Sequence, residues 1–400
     1  MSPHRPTVVV KPRRALPFFS RHPWVFSGAI ARVDGEPEPG SEVDLVSHEG
    51  RFIGRGLYNP DSNIKVRLYT WDSEISLDHA FWARQLDLAI AMREQVFGEL
   101  GSRSARRLVF SEADGLSGLV VDRYGDWLLM QMTSRALAQR QEELVDLLQK
   151  RLKPRGIWLR TEKGVLENES LTLTDGLVYG DEPPRPLFIE EYGVRYGVDV
   201  VQGQKTGHFL DQCENRKAVS GYVQGHRVLD AFCYSGGFSL AALVHGQATH
   251  VMAVDSSEAA LRTAAANAEL NEVSSRLQLE QGDVFHTLER LVAEEQQFNT
   301  VVIDPPKMAR HRRGVSQALK GYQRLNRSAL ALLPQGGILV TCTCSGLVDS
   351  TAFEAMLAAV AVNSNRRLQV LESRRAAADH PVATNCPEND YLRCYICRVV

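Results

Sequence analysis

The chain has 400 residues, with 46 Lys and Arg against 48 Asp and Glu, 44% apolar residues and 24% charged ones. That length supports a sizeable core and more than one domain, and a net charge of −2 excludes a polycation. No apolar run approaches the roughly 18 residues that span a bilayer. The opening MSPHRPTVVVKPRRALPFF lacks the apolar segment and small-residue cleavage site of a signal peptide, so the expectation is a cytoplasmic protein.

Residues 1–72 give short β-like runs, Thr7–Lys11, Glu42–Val46, Phe52–Tyr58 and Ile64–Tyr69, punctuated by Gly, Pro and Asn. This pattern predicts a small all-β module. Residues 73–190 read as a central α+β domain. A helix is expected from about Leu77 to Leu100, with Phe81, Leu88, Met92 and Val96 at helical spacing. GLVVDRYGDWLLMQM predicts a hairpin turning at Gly125, and Leu137, Leu144, Leu148 and Leu152 mark a second helix that Pro154 stops. FIEEYGVRYGVDVV predicts a further hairpin around Gly193.

Within residues 191–400 the pattern becomes apolar strands alternating with helices: RVLDAF, HVMAVD, LQLEQGD, NTVVIDPP and GILVTCTC. Near-continuous apolar strands of this kind imply a mostly parallel, doubly wound sheet covered on both faces. The fold class is therefore α/β.

Charge is unevenly placed. No acid lies between Asp304 and Asp349, a window that holds Lys307, Arg310, Arg312, Arg313, Lys320, Arg324 and Arg327. Such a run can grip a polyanion, although an ordinary solvated helix face has the same composition. The seven cysteines all lie from Cys213 onward, an odd count that does not read as a disulfide framework.

Ligands of doubly wound sheets sit beyond the carboxyl ends of the strands. Asp230, Asp255, Asp283 and Asp304 mark four such ends. Each could cap a helix, yet four in succession exceed what capping needs. Gly236-Gly237 allows a tight turn but is not GxGxxG, which disfavours a nicotinamide oxidoreductase. VLDAFCYSGGFSL, VMAVDSS, GDVF, VVIDPPK and LVTCTCSG together resemble the successive motifs of S-adenosylmethionine-dependent methyltransferases. QKTGHFLDQCENR, RHPWVFSGAI, GRGLYNPDSNIKVRLY, SEADGLSGLVVDRYGD and AADHPV extend the resemblance over the full length to the ribosomal large-subunit methyltransferase I family.

That resemblance implies a PUA-like RNA-binding β-barrel, the central domain and a Rossmann-like methyltransferase domain. It implies methylation of carbon 5 of a cytosine in 23S rRNA, and it leans toward a homodimer. It assigns the ribose hydroxyls of S-adenosylmethionine to Asp255 and the adenine amino group to Asp283. It puts Phe232, Tyr234, Ser235 and Gly236 at the methionine end, with Phe209 and Gln212 closing the pocket.

Carbon 5 of cytosine becomes nucleophilic once a thiolate adds at C6, and cysteine is both a good nucleophile and a good leaving group. Cys342 and Cys344 share a strand face, Cys344 nearer the carboxyl end and Cys342 one step toward the core. The resemblance agrees on Cys344 as nucleophile, and Cys342 reads as packing. A zinc site using Cys394 and Cys397 is disfavoured because YLRCYICRVV reads as a strand that points them to opposite faces, so no metal is expected. The motif Asp304-Pro305-Pro306-Lys307 lacks the second cysteine of many 5-methylcytosine enzymes. Asp304 is the candidate to hold the base edge, His380 a weaker candidate to take the C5 proton, and Lys307, Arg310, Arg312 and Arg313 the candidates for phosphates. Two rival readings stay open: nitrogen methylation of a guanine or adenine, and a non-catalytic RNA-binding assembly factor.

Overall fold

The computed structural model describes residues 5–98, 101, 103–201, 203, 207–309 and 311–400. The chain forms two compact units, Met1–Leu187 with Asp199–Gly207 and Asp379–Asn389, and Phe188–Val198 with His208–Ala378 and Asp390–Val400. No helix among the described residues is long and apolar enough to cross a membrane.

In the first unit a curled six-stranded sheet runs in the order Trp24–Phe26, Ile64–Thr70, Phe52–Tyr58, Glu42–Val46, Thr7–Val10, Ile30–Asp34. Two of these strands, Trp24–Phe26 and Ile30–Asp34, were not expected, because Ser27-Gly28 and a run of charged residues mask their short alternation. Val8, Val10, Val25, Val43, Leu45, Val66 and Leu68 fill its interior. A five-stranded sheet follows, in which Leu119–Tyr124 and Trp127–Met132 pair across the expected turn at Gly125.

The long helix spans His79–Phe97 and is capped by Asp78, whose carboxylate accepts the Phe81 amide at 2.9 Å. Its buried face differs from the expected one. Phe81, Trp82, Leu86, Ala89, Ile90 and Arg93 point inward, whereas Leu88 and Val96 are more than half exposed. The stripe was misread because Arg93 is a core residue here: its guanidinium donates to Asp114 (2.5 Å) and to the Asp379 carbonyl (2.7 Å), so its charge is paired inside.

The second unit is built on a seven-stranded sheet. Its strands are β1 (Arg227–Ala231), β2 (His250–Asp255), β3 (Leu277–Gln281), β4 (Thr300–Ile303), β5 (Ile338–Thr343), β6 (Leu368–Arg374) and β7 (Arg393–Val399). Their order is β3-β2-β1-β4-β5-β7-β6. The first five are parallel and β7 lies antiparallel between β5 and β6. Helices α1 (Cys213–Ser220), α2 (Gly237–Val244), α3 (Glu258–Leu270), α4 (Val284–Ala293), α5 (Val315–Ala331) and α6 (Ser350–Asn363) accompany it. The order reverses between β1 and β4, so the crevice outside the carboxyl ends of these strands is where a ligand fits. The core beneath is apolar: Leu229, Ala231, Val254, Val301, Ile303 and Leu339 are fully buried.

Candidate functional site

Three strand-end carboxylates shape one half of the crevice. Asp255, at the end of β2, accepts the Tyr234 amide at 2.9 Å and the Ser257 amide at 2.8 Å. It thereby ties the loop after β1 to the loop after β2. Asp283 caps α4 by accepting the His286 amide at 3.0 Å, the local role weighed for such acids. Asp230 is buried and accepts both the amide (3.0 Å) and hydroxyl (2.6 Å) of Ser239 on one oxygen. Its other oxygen has no partner among the described residues, and burial pushes its carboxyl up to about 6.

The loop between β1 and α2 is held in an unusual shape. Phe232, Tyr234 and Gly236 have φ of 68°, 49° and 86°. At Gly236 a side chain would be strained by φ and would meet the Cβ of Ala264 at 3.3 Å. Ser235 is buried and its carbonyl accepts from Asn267 at 3.4 Å. Phe209 sets its ring edge-on to Tyr234 with centroids 5.3 Å apart. Phe209 is itself held from behind, because Arg216 donates to its carbonyl at 3.0 Å. Arg216 is buried against Glu191 (2.6 Å), which also faces His208 (3.0 Å). Burial alone would raise the Glu191 carboxyl, but Arg216 and His208 outweigh it and pull the group down to about 2. This ion cluster was not expected, since its members lie on three separate segments.

The other half is formed by the loops after β4 and β5. Asp304 follows β4 and accepts from Nε2 of Gln212 at 3.0 Å; no helix begins at Asp304 for it to cap. Cys344 follows the last residue of β5, half-buried, with its sulfur 3.7 Å from the Pro305 carbonyl. The two loops are stitched together by hydroxyls. Ser345 Oγ accepts the Met308 and Ala309 amides at 3.1 and 3.2 Å, and lies 3.2 Å from the Tyr322 hydroxyl. Thr343 donates to that same hydroxyl at 2.8 Å. Nothing in the local sequence around Tyr322, on α5, signalled this role.

Cys342 differs sharply from Cys344. It lies within β5, fully buried, opposite Cys394 of β7. Burial and contact with Cys394 push its thiol well up. All seven cysteines are described, and none is in a disulfide. Lys307, Arg312 and Arg313 are exposed on the segment after Asp304, while Arg310 lies outside the described residues. His380 belongs to the first unit, buried, bonded to Asp379 at 2.7 Å and packed against Phe110.

The crevice fits S-adenosylmethionine on this chain's own features. The Gly236 turn makes room for close backbone approach, Asp255 and Asp283 place acceptors at successive strand ends, and among the described residues Asp230 keeps an unpartnered buried oxygen. Fold and crevice define the class, an S-adenosylmethionine-dependent methyltransferase. The family model of that description matches residues 176–379, and a PUA-like domain model matches residues 8–71. The chain is 39% identical to the ribosomal RNA large subunit methyltransferase I of Erwinia tasmaniensis, over 95% of this chain and 96% of that one. It is 40% identical to the protein of the same name from Escherichia coli O139:H28, with the same coverage. The chain belongs to the ribosomal RNA large subunit methyltransferase I family. Its fold matches a SAM-dependent methyltransferase structure from Streptococcus mutans with a TM-score of 0.84 at 21% identity, covering 98% of this chain and 99% of that one.

Proposed function

We propose that this protein methylates carbon 5 of a cytosine in 23S rRNA through a covalent adduct on Cys344. The observation that carries the reading is the placement of that thiol: just past the end of β5, half-buried, and beside the loop that bears Asp304. The family supplies the rRNA, since the named relatives are ribosomal RNA large subunit methyltransferases. S-adenosylmethionine, when bound, supplies an electrophilic methyl group.

The chain's residues do the rest. The Cys344 thiolate adds to C6 of the base, the C5–C6 double bond opens, and C5 acquires enamine character. After C5 has taken the methyl group, water takes the C5 proton, the C6–S bond breaks and the thiolate returns. A thiol near pKa 8.5 is only about 3% ionised at pH 7, so positive potential from Lys307 and its neighbours assists deprotonation. Asp304 accepts from the exocyclic amino group and fixes the base edge over the thiol. Phe209, Tyr234, Phe232 and Ser235 enclose the methionine end, with Gly236 giving the turn, while Asp255 takes the ribose and Asp283 the adenine edge. Arg312 and Arg313 contact phosphates, and the PUA-like segment binds RNA.

The reading is tested by methylating unmodified rRNA in vitro, digesting it to nucleosides and identifying the product by mass spectrometry. The expected product is 5-methylcytidine, absent with Cys344→Ala. An N-methylated guanosine or adenosine formed equally by Cys344→Ala would replace this reading with nitrogen methylation. Failure to bind S-adenosylmethionine would leave an RNA-binding assembly factor.

A further inference from the structure

Gln212 stands in a chain of side chains whose direction can be read without seeing a proton. Arg374, the last residue of β6, donates from Nε to Oδ1 of Asn215 over 3.0 Å. Asn215, fully buried on α1, donates from Nδ2 to Oε1 of Gln212 at 2.6 Å and to the Arg375 carbonyl at 3.1 Å. Gln212, also buried, donates from Nε2 to Oδ2 of Asp304 at 3.0 Å. A guanidinium only donates and an ionised carboxylate only accepts. With both ends fixed, each amide between them has one orientation, since flipping either would set donor against donor or acceptor against acceptor.

Arg374 also pairs with Glu372 at 2.6 Å and donates to the Glu214 carbonyl at 3.4 Å, but the Gln212 side chain has no such local task. Gln212 is the residue before α1, yet its side chain does not cap that helix. Asn215 and Arg374 are 159 residues apart in sequence, and Gln212 and Asp304 are 92 apart. One buried amide, Gln212, thus reaches the carboxylate, and Asn215 and Arg374 fix the orientation of that amide.

We infer that Gln212 is a positioning residue that holds Asp304 in one rotamer as a hydrogen-bond acceptor toward the substrate base, with Asn215 and Arg374 locking Gln212 in turn. This rests on the role of Asp304 proposed above. It moves Gln212 from closing the cofactor pocket to aligning the group opposite the base. Its amide is committed at both ends, to Asn215 and to Asp304.

The test uses the full chain with Gln212→Met, Gln212→Glu, Arg374→Met, Asp304→Asn and the double variant Gln212→Met/Asp304→Asn. S-adenosylmethionine affinity is measured by calorimetry, which also reports folding, and kcat by transfer of labelled methyl to rRNA whatever the base. Gln212→Met is expected to bind S-adenosylmethionine within about twofold of the parent while kcat falls about 10- to 100-fold. Gln212→Glu keeps the acceptor for Asn215 but sets a carboxylate against Asp304, so it should lose at least as much. Arg374→Met loses less, in the same direction. The double variant should be no slower than Asp304→Asn alone, because both act through one contact. Additive losses, a Gln212→Glu variant with parental kcat, or a Gln212→Met defect cured by saturating S-adenosylmethionine would each overturn the inference. If Asp304→Asn keeps the parental rate, the proposed role of Asp304 itself fails and this inference with it.

Discussion

The two halves of the crevice are built on different principles. After β1, β2 and β3, carboxylates bind backbone: Asp230 holds the Ser239 amide, Asp255 the Tyr234 and Ser257 amides, Asp283 the His286 amide. After β4 and β5, side chains bind mainly one another or reach across: Gln212 to Asp304, Thr343 to Tyr322, Tyr322 to Ser345, and Ser345 to the facing loop. The first style shapes a loop around a ligand and tolerates what that ligand brings. The second fixes side chains, Cys344 and Asp304 of the proposed mechanism among their neighbours, relative to each other, which is what bond-making requires. On the proposed mechanism, the difference predicts that binding and chemistry are separable by substitution.

The sharpest separation is expected at Cys344. Cys344→Ala should reduce methyl transfer by about 10³-fold or more while leaving S-adenosylmethionine affinity near parental, measured by initial rates and calorimetry. Comparable loss of both would break the comparison. Cys342→Ala, by contrast, removes packing and the thiol's contacts with Cys394 and Gln212 and should cost about 1 kcal/mol of stability with transfer largely retained, checked by urea unfolding and rates.

The ion cluster behind Phe209 comes next. Glu191→Gln strands Arg216 without its anion in a buried site and should cost about 3–5 kcal/mol in urea unfolding. The pH dependence follows in sign. The folded Glu191 titrates near 2, below its ordinary 4.5, so the folded state keeps the charge where the unfolded state binds a proton. Its contribution is fully present above about pH 4.5 and is lost as pH falls toward 2. Glu191→Gln should flatten that acid limb. An unchanged limb would show that the cluster does not stabilise the fold.

Smaller effects sharpen each half. Asp255→Ala should weaken S-adenosylmethionine binding by about 10- to 100-fold, the worth of a charge-assisted hydrogen bond of about 1.5–3 kcal/mol, with kcat at saturation reduced less. Tyr322→Phe removes the hydroxyl shared by Thr343 and Ser345 and should cost about 1–2 kcal/mol in thermal unfolding. It should lower kcat rather than affinity, because the loops it joins carry Cys344 and lie beside Asp304. An affinity loss with unchanged kcat would place Tyr322 in the binding half.

Much of the parallel sheet was legible because its signals are local. Apolar runs carrying Asp230, Asp255 and Asp304 announced strands and their carboxyl ends, and position along the strand separated Cys342, one step toward the core, from Cys344 at the carboxyl end. The misreading of His79–Phe97 shows the limit of periodicity: Leu88 and Val96 matched the spacing, yet the buried face contains Arg93, whose partners Asp114 and Asp379 are distant in sequence. The interdigitation of β7 between β5 and β6, and the assignment of Asp379–Asn389 to the first unit, are long-range facts of the same kind. So is the Arg374–Asn215–Gln212 chain, which no pattern of neighbouring residues encodes.

The central claim is a covalent bond between Cys344 and C6 of the base, and trapping it is the most direct test. rRNA fragments carrying 5-fluorocytosine, incubated with protein and S-adenosylmethionine, cannot complete the cycle because fluorine occupies the position from which a proton must leave. The account predicts a complex that survives denaturing electrophoresis, maps by mass spectrometry to the peptide containing Cys344, and disappears with Cys344→Ala. A complex mapping to Cys342 would contradict the assignment, and no complex alongside continued methylation of unmodified rRNA would contradict the covalent mechanism.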